Sequence, residues 1–169
     1  MDGENFCEEP MQSRITRGSL AGIAGGIVFG VMMQMMNAPT PDGGSMPMMA
    51  MVAMVVRSTN IAVGWIYHLF NSAVIGILFA LLLGRRVNSN VSGVAWGASW
   101  GLLWWILGGL ILMPLLLGMP AFASLKMPPM RPVAMESLVG HLVYGILLGV
   151  SYARLSHAEP MPVVRGVPH

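Results

Sequence analysis

The chain has 169 residues, of which 55% are hydrophobic and only 9% are charged. Soluble domains carry about 25% charged residues, so the composition excludes that class and indicates an integral membrane protein. The formal net charge is +2, and most arginines stand at the ends of apolar runs. That is the pattern of topology signals, and it argues against a nucleic-acid partner.

Four apolar segments follow an acidic N-terminal tail, residues 1–16. About 20 apolar residues are needed to cross the roughly 30 Å hydrocarbon core as a helix. The third segment is longer than this, which predicts a tilt or a break near Pro114, and the fourth lies at the short limit. The predicted spans are Gly18–Met36, Ile61–Leu83, Val91–Leu117 and about Ser137–Tyr152.

The segments outside the spans differ in character. Asn37–Ser45 contains prolines and a Gly-Gly pair and is predicted to be a loop. Pro47–Val56 is apolar and methionine-rich but too short to cross, which predicts an interfacial or re-entrant helix. Glu136 precedes the fourth span, where a carboxylate favours a helix N-terminus, so we expect it to cap that helix. Residues 156–169 are predicted to form a flexible C-terminal tail.

The distribution of positive charge predicts the orientation of the chain. The N-terminal tail, the turn after the second span and the C-terminal tail together hold six arginines, against three Lys or Arg in the other two loops. The positive-inside rule then places both termini in the cytoplasm and the methionine-rich loop outside. We expect a multi-pass protein of the bacterial inner membrane.

The sequence indicates an internal duplication. A Gly-rich run that begins at Gly22 is echoed by one that begins at Gly93, and a Met-Pro-x-Met run at 46–49 is echoed at 127–130. Similar offsets in the same order predict two tandem helix hairpins, about 18–84 and about 89–155, within one four-helix membrane domain, 17–155. Because each hairpin crosses twice, the copies share an orientation and are related by a pseudo-twofold axis along the membrane normal.

Each predicted repeat carries one histidine on a face of small residues. Positions four or eight apart share a helix face, so His68 lies in a stripe with Gly76, and His141 in a stripe with Gly149. Both imidazoles are therefore predicted to face the interior, at similar depth in the outer half of the bundle. Ionisable residues inside a span are costly and usually pair, line an interior or bind something.

Three interpretations of this histidine pair stay open. Two neutral imidazoles could ligate one haem b iron axially or take part in a copper site. Alternatively, each histidine donates across the bundle to a carbonyl or to Asn71, Tyr67 or Tyr144, and so fixes the register of the helices. The third interpretation is a proton or solute path that also uses Asn71 and Gln34.

Methionine accounts for 17 residues, and many of them lie at the outer end of span one and in the loop that follows. Soft thioethers suit Cu(I), so Met33, Met36, Met46 and Met49 are candidate copper ligands. The alternative is that methionine, a flexible apolar residue, fills irregular gaps and coats an interfacial helix.

The glycine stripes are predicted to mediate helix packing, because small residues four apart let membrane helices approach closely. A groove for a flat ligand is the alternative. The candidate packing glycines are Gly22, Gly26, Gly30, Gly76, Gly93, Gly97, Gly101 and Gly149.

Four features occur in a fixed order along the chain: a Gly-rich first span, Trp-Ile-Tyr-His at 65–68, a Trp-rich third span ending Leu-Met-Pro at 112–114, and Gly-His-Leu-Val-Tyr-Gly at 140–145. In this order the chain resembles a group of uncharacterised bacterial four-span membrane proteins, with a more distant similarity to the YagU-like inner-membrane proteins. The resemblance covers about Gly18 to Arg154. It implies a four-helix inner-membrane fold and little about activity.

We therefore predict an all-α integral membrane protein with four transmembrane helices in the lipid bilayer. Catalysis has little support, because the only acids between Arg17 and Arg154 are Asp42 and Glu136, and neither a phosphate loop nor a nucleophile elbow appears. The predicted function is a small accessory or scaffold protein whose histidines bind haem or copper. A small-solute or ion transporter and a purely structural subunit are the alternatives. A homo-oligomer or a larger membrane complex is the expected assembly.

Overall fold

The computed structural model describes residues 10–40 and 42–157, and it is the all-α membrane protein that the sequence predicts. Four helical segments of the described chain are long and apolar enough to cross a membrane. The first is a single helix, the second and fourth are each one helix with a short 3₁₀ turn at one end, and the third combines two α-helices with a π-helical segment between them. The helices are α1 (Met11–Met35), α2 (Met48–Val55), α3 (Ile61–Leu83), α4 (Asn90–Trp104), α5 (Met113–Leu116), α6 (Ala123–Lys126) and α7 (Arg131–His157).

The first helix begins before the predicted span. It starts at Met11, so the last residues assigned to the acidic tail, 1–16, are helical, while residues 1–9 lie outside the described part of the chain. Arg14 explains the extension, because its guanidinium donates to the carbonyls of Ala80 at 2.6 Å and Leu81 at 3.0 Å. These carbonyls lie at the C-terminal end of α3, where a helix lacks internal donors and favours positive charge.

The fourth helix is longer at both ends than the predicted span. It begins at Arg131, so Glu136 is its sixth residue and does not cap it, contrary to the prediction. Pro132 lies in the first turn, where a missing N–H costs nothing, and the Arg131 guanidinium donates to the Leu125 carbonyl at 3.1 Å. The helix runs to His157, into the segment assigned to the flexible tail, 156–169. Residues 158–169 of that tail lie outside the described residues.

The four spans form two hairpins, and the hairpins contact each other mainly through α1 and α7. Helix α1 packs on α3, α4 packs on α7, and α1 packs on α7, so the spatial order is α3, α1, α7, α4. The ring of Trp100 in α4 also reaches α3 and donates through Nε1 to the Ile75 carbonyl at 3.3 Å. We call the end of the bundle that carries α2 and α6 the loop end. The other end, which carries Met11, His157 and the 3₁₀ turn Gly84–Arg86, is the terminal end.

Within each hairpin the helices touch through glycine. A Cβ on Gly22 would overlap the Ser72 carbonyl of α3, and a Cβ on Gly97 would overlap the Gly145 carbonyl of α7. All eight candidate packing glycines lie at such approaches, most against backbone and two against the side chains of Ser72 and Trp65. Close backbone approach gives membrane helices dispersion contacts that lipid cannot match.

The two hairpins use the same set of contacts, with a register that differs from the sequence alignment. A Cβ on Gly76 would meet the carbonyl of Gly18, and a Cβ on Gly149 would meet the carbonyl of Gly93. The packing thus matches Gly18 with Gly93, whereas the alignment of the glycine-rich runs matches Gly22 with Gly93. The difference is one helical turn. Because the glycines repeat every four residues, a shift of four aligns glycine with glycine again, and the sequences alone do not distinguish the two registers.

The third span contains the expected irregularity, placed before Pro114. Residues Trp105–Leu112 form a π-helix between α4 and α5. Pro114 lacks an N–H and its ring crowds the carbonyl four residues earlier. That carbonyl belongs to Leu110, and it accepts instead from the Phe122 amide at 2.7 Å, on the return from the span. The wide turns of the π segment therefore have an identifiable cause.

The loop between α1 and α2 is more ordered than predicted. Strands β1 (Asn37–Pro39) and β2 (Ser45–Pro47) pair antiparallel, with Ala38 opposite Met46. The ribbon directs the chain back over the bundle, so that α2, the predicted interfacial or re-entrant helix, packs on α3 and α1. Helix α2 covers the loop end of the space between the spans.

Candidate functional site

A cavity of about 260 Å³ lies in the half of the bundle nearer the loop end. Its walls come from α1, α3, α7 and the third span (the end of α4, the π segment and α5), and α2 covers it. Most of the lining is apolar, with a small set of convergent polar groups, which is the usual composition of a ligand site. The lining residues that carry a polar group are Tyr67, His68, Asn71, Ser72, Trp104, Ser137, His141 and Tyr144.

His68 lines this cavity from α3, on the buried face that the stripe predicts. Its side chain is 8% exposed, and Nε2 lies 2.8 Å from the Gly26 carbonyl of α1. Only an N–H can donate to a carbonyl, so the neutral ring carries its proton on Nε2. The lone pair is then on Nδ1.

His141 lines the same cavity from α7 but bonds within its own helix. Its Nδ1 lies 2.7 Å from the Ser137 carbonyl one turn earlier, with the Ser137 hydroxyl at 3.3 Å. The neutral ring therefore carries its proton on Nδ1 and its lone pair on Nε2. The two histidines are in opposite tautomers.

Each imidazole thus keeps one nitrogen for a ligand. Across residues 10–40 and 42–157, no hydrogen-bond partner contacts His68 Nδ1 or His141 Nε2. A metal-binding histidine commonly donates its other N–H to a backbone carbonyl, which fixes the tautomer and the ring orientation. Both rings already have that arrangement.

The Phe29 ring holds the two imidazoles in place. It lies edge-on to both, with centroid distances of 5.5 Å to His68 and 4.8 Å to His141. It also packs so closely on Gly140 that a Cβ there would overlap the ring. Phe29 therefore links both histidines to the α1–α7 contact.

A second polar contact closes the cavity toward the terminal end. The Tyr144 hydroxyl of α7 donates to the Ser72 carbonyl of α3 at 2.9 Å, and the Ser72 hydroxyl donates to the His68 carbonyl at 2.8 Å. Beyond them lie Phe79 and Tyr152, each at most 1% exposed. The cavity does not continue through this half of the bundle.

The structure separates the four candidate methionine ligands. Met33 lines the cavity with the histidines, whereas Met49 is fully buried in the core and Met46 lies in strand β2. Met36 packs against the core at the end of α1. None of these three lines the histidine cavity.

Two methionines that were not among the candidates also line the cavity. Met48 shares a helix face with Val52 and Val55, which line it too, so the i, i+4, i+7 spacing was a usable signal. Met113 comes from the segment after the π-helix. Its position depends on the irregular turns, and no pattern in the sequence gives it.

The π segment forms the wall beside His141. A Cβ on Gly109 would lie 3.3 Å from Ser137 Oγ and 3.5 Å from His141 Cε1. The Trp105 indole donates to the Ala134 carbonyl at 3.1 Å and fixes this wall to α7. Isolated π-helical turns often mark functional sites.

No protein-family model, curated protein or solved structure matches this chain. The resemblance to the uncharacterised four-span proteins stays a prediction, as do haem and copper as ligands. In the described part of the chain, no three His, Cys, Asp or Glu side chains converge on one point. A metal site built on His68 and His141 would therefore draw its other ligands from methionine.

Proposed function

We propose that this protein is a small integral membrane accessory protein that binds one Cu(I) ion in the histidine cavity. The observation that carries the proposal is the arrangement of the two imidazoles. Each donates one N–H to a backbone carbonyl and leaves its other nitrogen without a partner, and both rings line the same cavity. His68 Nδ1 and His141 Nε2 are the proposed nitrogen ligands.

The remaining lining favours a soft, singly charged ion. The thioethers of Met33, Met48 and Met113 line the cavity together with the histidines, and its described lining contains neither a carboxylate nor a thiol. Thioether and imidazole ligands suit Cu(I). The cost of burying an ion rises with the square of its charge, so an uncharged ligand set in an apolar site favours a monovalent ion over Zn²⁺ or Cu²⁺.

Haem fits this geometry less well than copper. Axial ligation by both histidines requires a porphyrin between the two imidazoles. The Phe29 ring already contacts both rings and packs closely on Gly140. A porphyrin would have to displace this ring, whereas a single ion takes up far less space.

The same proposal includes the topology. The terminal end carries Arg14, Arg17, Arg85 and Arg86, while the loop end carries fewer positive charges. By the positive-inside rule we place the terminal end in the cytoplasm and the loop end outside, in a bacterial inner membrane. The matched glycine contacts of the two hairpins support an internal duplication and a glycine zipper in each hairpin.

A transporter and a purely structural subunit remain the alternatives. Of the three residues in the predicted solute path, His68 and Asn71 line the cavity, whereas Gln34 accepts from the Trp65 indole at 3.3 Å and does not line it. The cavity does not extend into the terminal half, where Phe79 and Tyr152 are buried, which supports binding over conduction. Ile66 and Phe70 of α3 are 70% and 63% exposed, and this apolar face meets lipid, a second copy or a partner subunit.

The test is to purify the protein in detergent and titrate it with Cu(I) buffered by the chromophoric chelator bicinchoninate. We expect one Cu(I) per chain, lost in His141→Ala and strongly weakened in His68→Ala. His157→Ala is the matched control, because His157 lies at the terminal end, away from the cavity. A Soret band that depends on the two cavity histidines would establish haem instead. A colourless protein that binds no metal contradicts the proposal.

A further inference from the structure

A second, smaller cavity adjoins the histidine cavity on the side of the loop end. Its volume is about 30 Å³. It lies between α2, the end of the third span, the segment containing α6, and the start of α7. Such a space is large enough for a water molecule or a bare ion.

This cavity is rich in methionine. Five thioethers line it, from three separate parts of the chain, and two of them, Met48 and Met113, also line the histidine cavity. Met51 and Met119 are partly exposed toward the loop end, and Met130 is buried. The five residues therefore run from the surface of the loop end to the histidines.

One further group distinguishes this cavity from ordinary packing. Ser124 is 8% exposed, lines the cavity, and its hydroxyl has no hydrogen-bond partner among the described residues. A buried hydroxyl without a partner costs free energy, and its presence calls for an explanation. A water or an ion in the cavity would supply the missing contact.

We propose that this methionine-lined cavity is the access site through which Cu(I) reaches the histidines from the loop end. Met51, Met119 and Met130 accept the ion from a soluble carrier, and Met48 and Met113 pass it to His141. The first step replaces a ligand of the carrier by a thioether, the next exchange one thioether for another, and the last replaces a thioether by the His141 imidazole, so the ion stays Cu(I) throughout. Thioether ligands suit Cu(I) but carry no charge, so no ion pair holds the copper at the access site. The inference rests on the proposed function.

The experiment measures the rate of loading separately from the equilibrium. Purified protein in detergent is mixed rapidly with the Cu(I)–bicinchoninate complex, and the loss of its colour is followed in time. The test variant replaces Met51, Met119 and Met130 by Leu, a swap of similar volume that cores usually tolerate. The control variant replaces three exposed methionines of the loop end that line neither cavity: Met35, Met54 and Met127.

We expect the test variant to load at least tenfold more slowly and still reach one Cu(I) per chain, with an affinity within about twofold of the unmodified protein. The full final loading shows at the same time that the variant is folded. The control variant should load at the normal rate. A normal rate in the test variant contradicts the access site and leaves the proposed function standing. Loss of the bound ion from a folded test variant also contradicts it, because the three methionines would then be the principal site. An unmodified protein that takes up no Cu(I) contradicts the proposed function itself.

Discussion

Two histidines at equivalent positions of the hairpins make different hydrogen bonds. His68 donates across the hairpin to Gly26, whereas His141 donates back to Ser137 in its own helix. The difference gives the two rings opposite tautomers and presents Nδ1 of one and Nε2 of the other to a ligand. A pair with identical bonds would present the same nitrogen twice, so the asymmetry itself is part of the candidate site.

The Tyr144 hydroxyl joins α7 to α3 directly behind the histidines, and its removal should weaken the bundle. We expect Tyr144→Phe to lower the free energy of unfolding by about 0.5–1.5 kcal/mol, the usual net value of one hydrogen bond. The bond lost is the one to the Ser72 carbonyl. Reversible unfolding in mixed micelles measures the change.

Tyr67→Phe is the matched control, because Tyr67 also lines the cavity but its hydroxyl makes no hydrogen bond to a described residue. Its free energy of unfolding should stay close to that of the unmodified protein. Equal losses in the two variants would show that the bond from Tyr144 to Ser72 does not stabilise the fold.

The sequence predicts that both histidines face the interior, but it does not predict all the residues around them. The stripe of small residues four apart placed His68 and His141 on the packed face, because that periodicity is a property of one helix. Met113 and Phe29 reach the cavity through the π segment and through the α1–α7 contact. Those depend on how separate helices meet, which a single sequence does not encode locally.

The helix boundaries, too, can be predicted from the sequence only in part. The second span was predicted to the residue, as Ile61–Leu83, because Asn60 caps its start by accepting from the Ala62 amide and a Gly-Arg-Arg turn follows it. The fourth span was predicted six residues too short at its start, since Glu136 was interpreted as a boundary. The structure instead begins that helix at Arg131 and carries Glu136 inside it.

The contact of α4 with α7 depends on the absence of side chains at its glycines. A Cβ on Gly97 would overlap the Gly145 carbonyl, so the helices would have to separate. We expect Gly97→Ala to cost about 1–3 kcal/mol, the usual range for an overfilled core. Gly108→Ala, in the same span, is the control, because the nearest atom to its Cβ would be Trp104 Cε3 at 3.8 Å. Thermal unfolding in detergent that affects both variants alike would contradict this account of the packing.

The two halves of the bundle differ in how tightly they are packed. The terminal half is tightly filled, with Phe79 and Tyr152 buried, and it holds the hairpins together. The half near the loop end contains both cavities and is covered by α2 and the β1–β2 ribbon. In the proposed topology, Cu(I) supplied from outside would meet the methionine-lined cavity first.

The proposed topology predicts which positions are accessible from outside. In a Cys7→Ser background, a cysteine in place of Asp42, in the turn between β1 and β2, should react with a membrane-impermeant maleimide in intact spheroplasts. A cysteine in place of Asn88, beside the turn at the terminal end, should react only after the membrane is permeabilised. The reverse pattern of labelling would invert the proposed orientation and move the access site to the cytoplasmic face.

X-ray absorption of the Cu(I)-loaded protein at the copper edge tests the central claim most directly. The proposed site predicts one population of Cu(I) whose first shell contains both imidazole nitrogen and thioether sulfur, and the nitrogen contribution should fall in His141→Ala but persist in His157→Ala. A shell of sulfur alone, or a spectrum that His141→Ala leaves unchanged, would show that copper binds away from the histidine cavity.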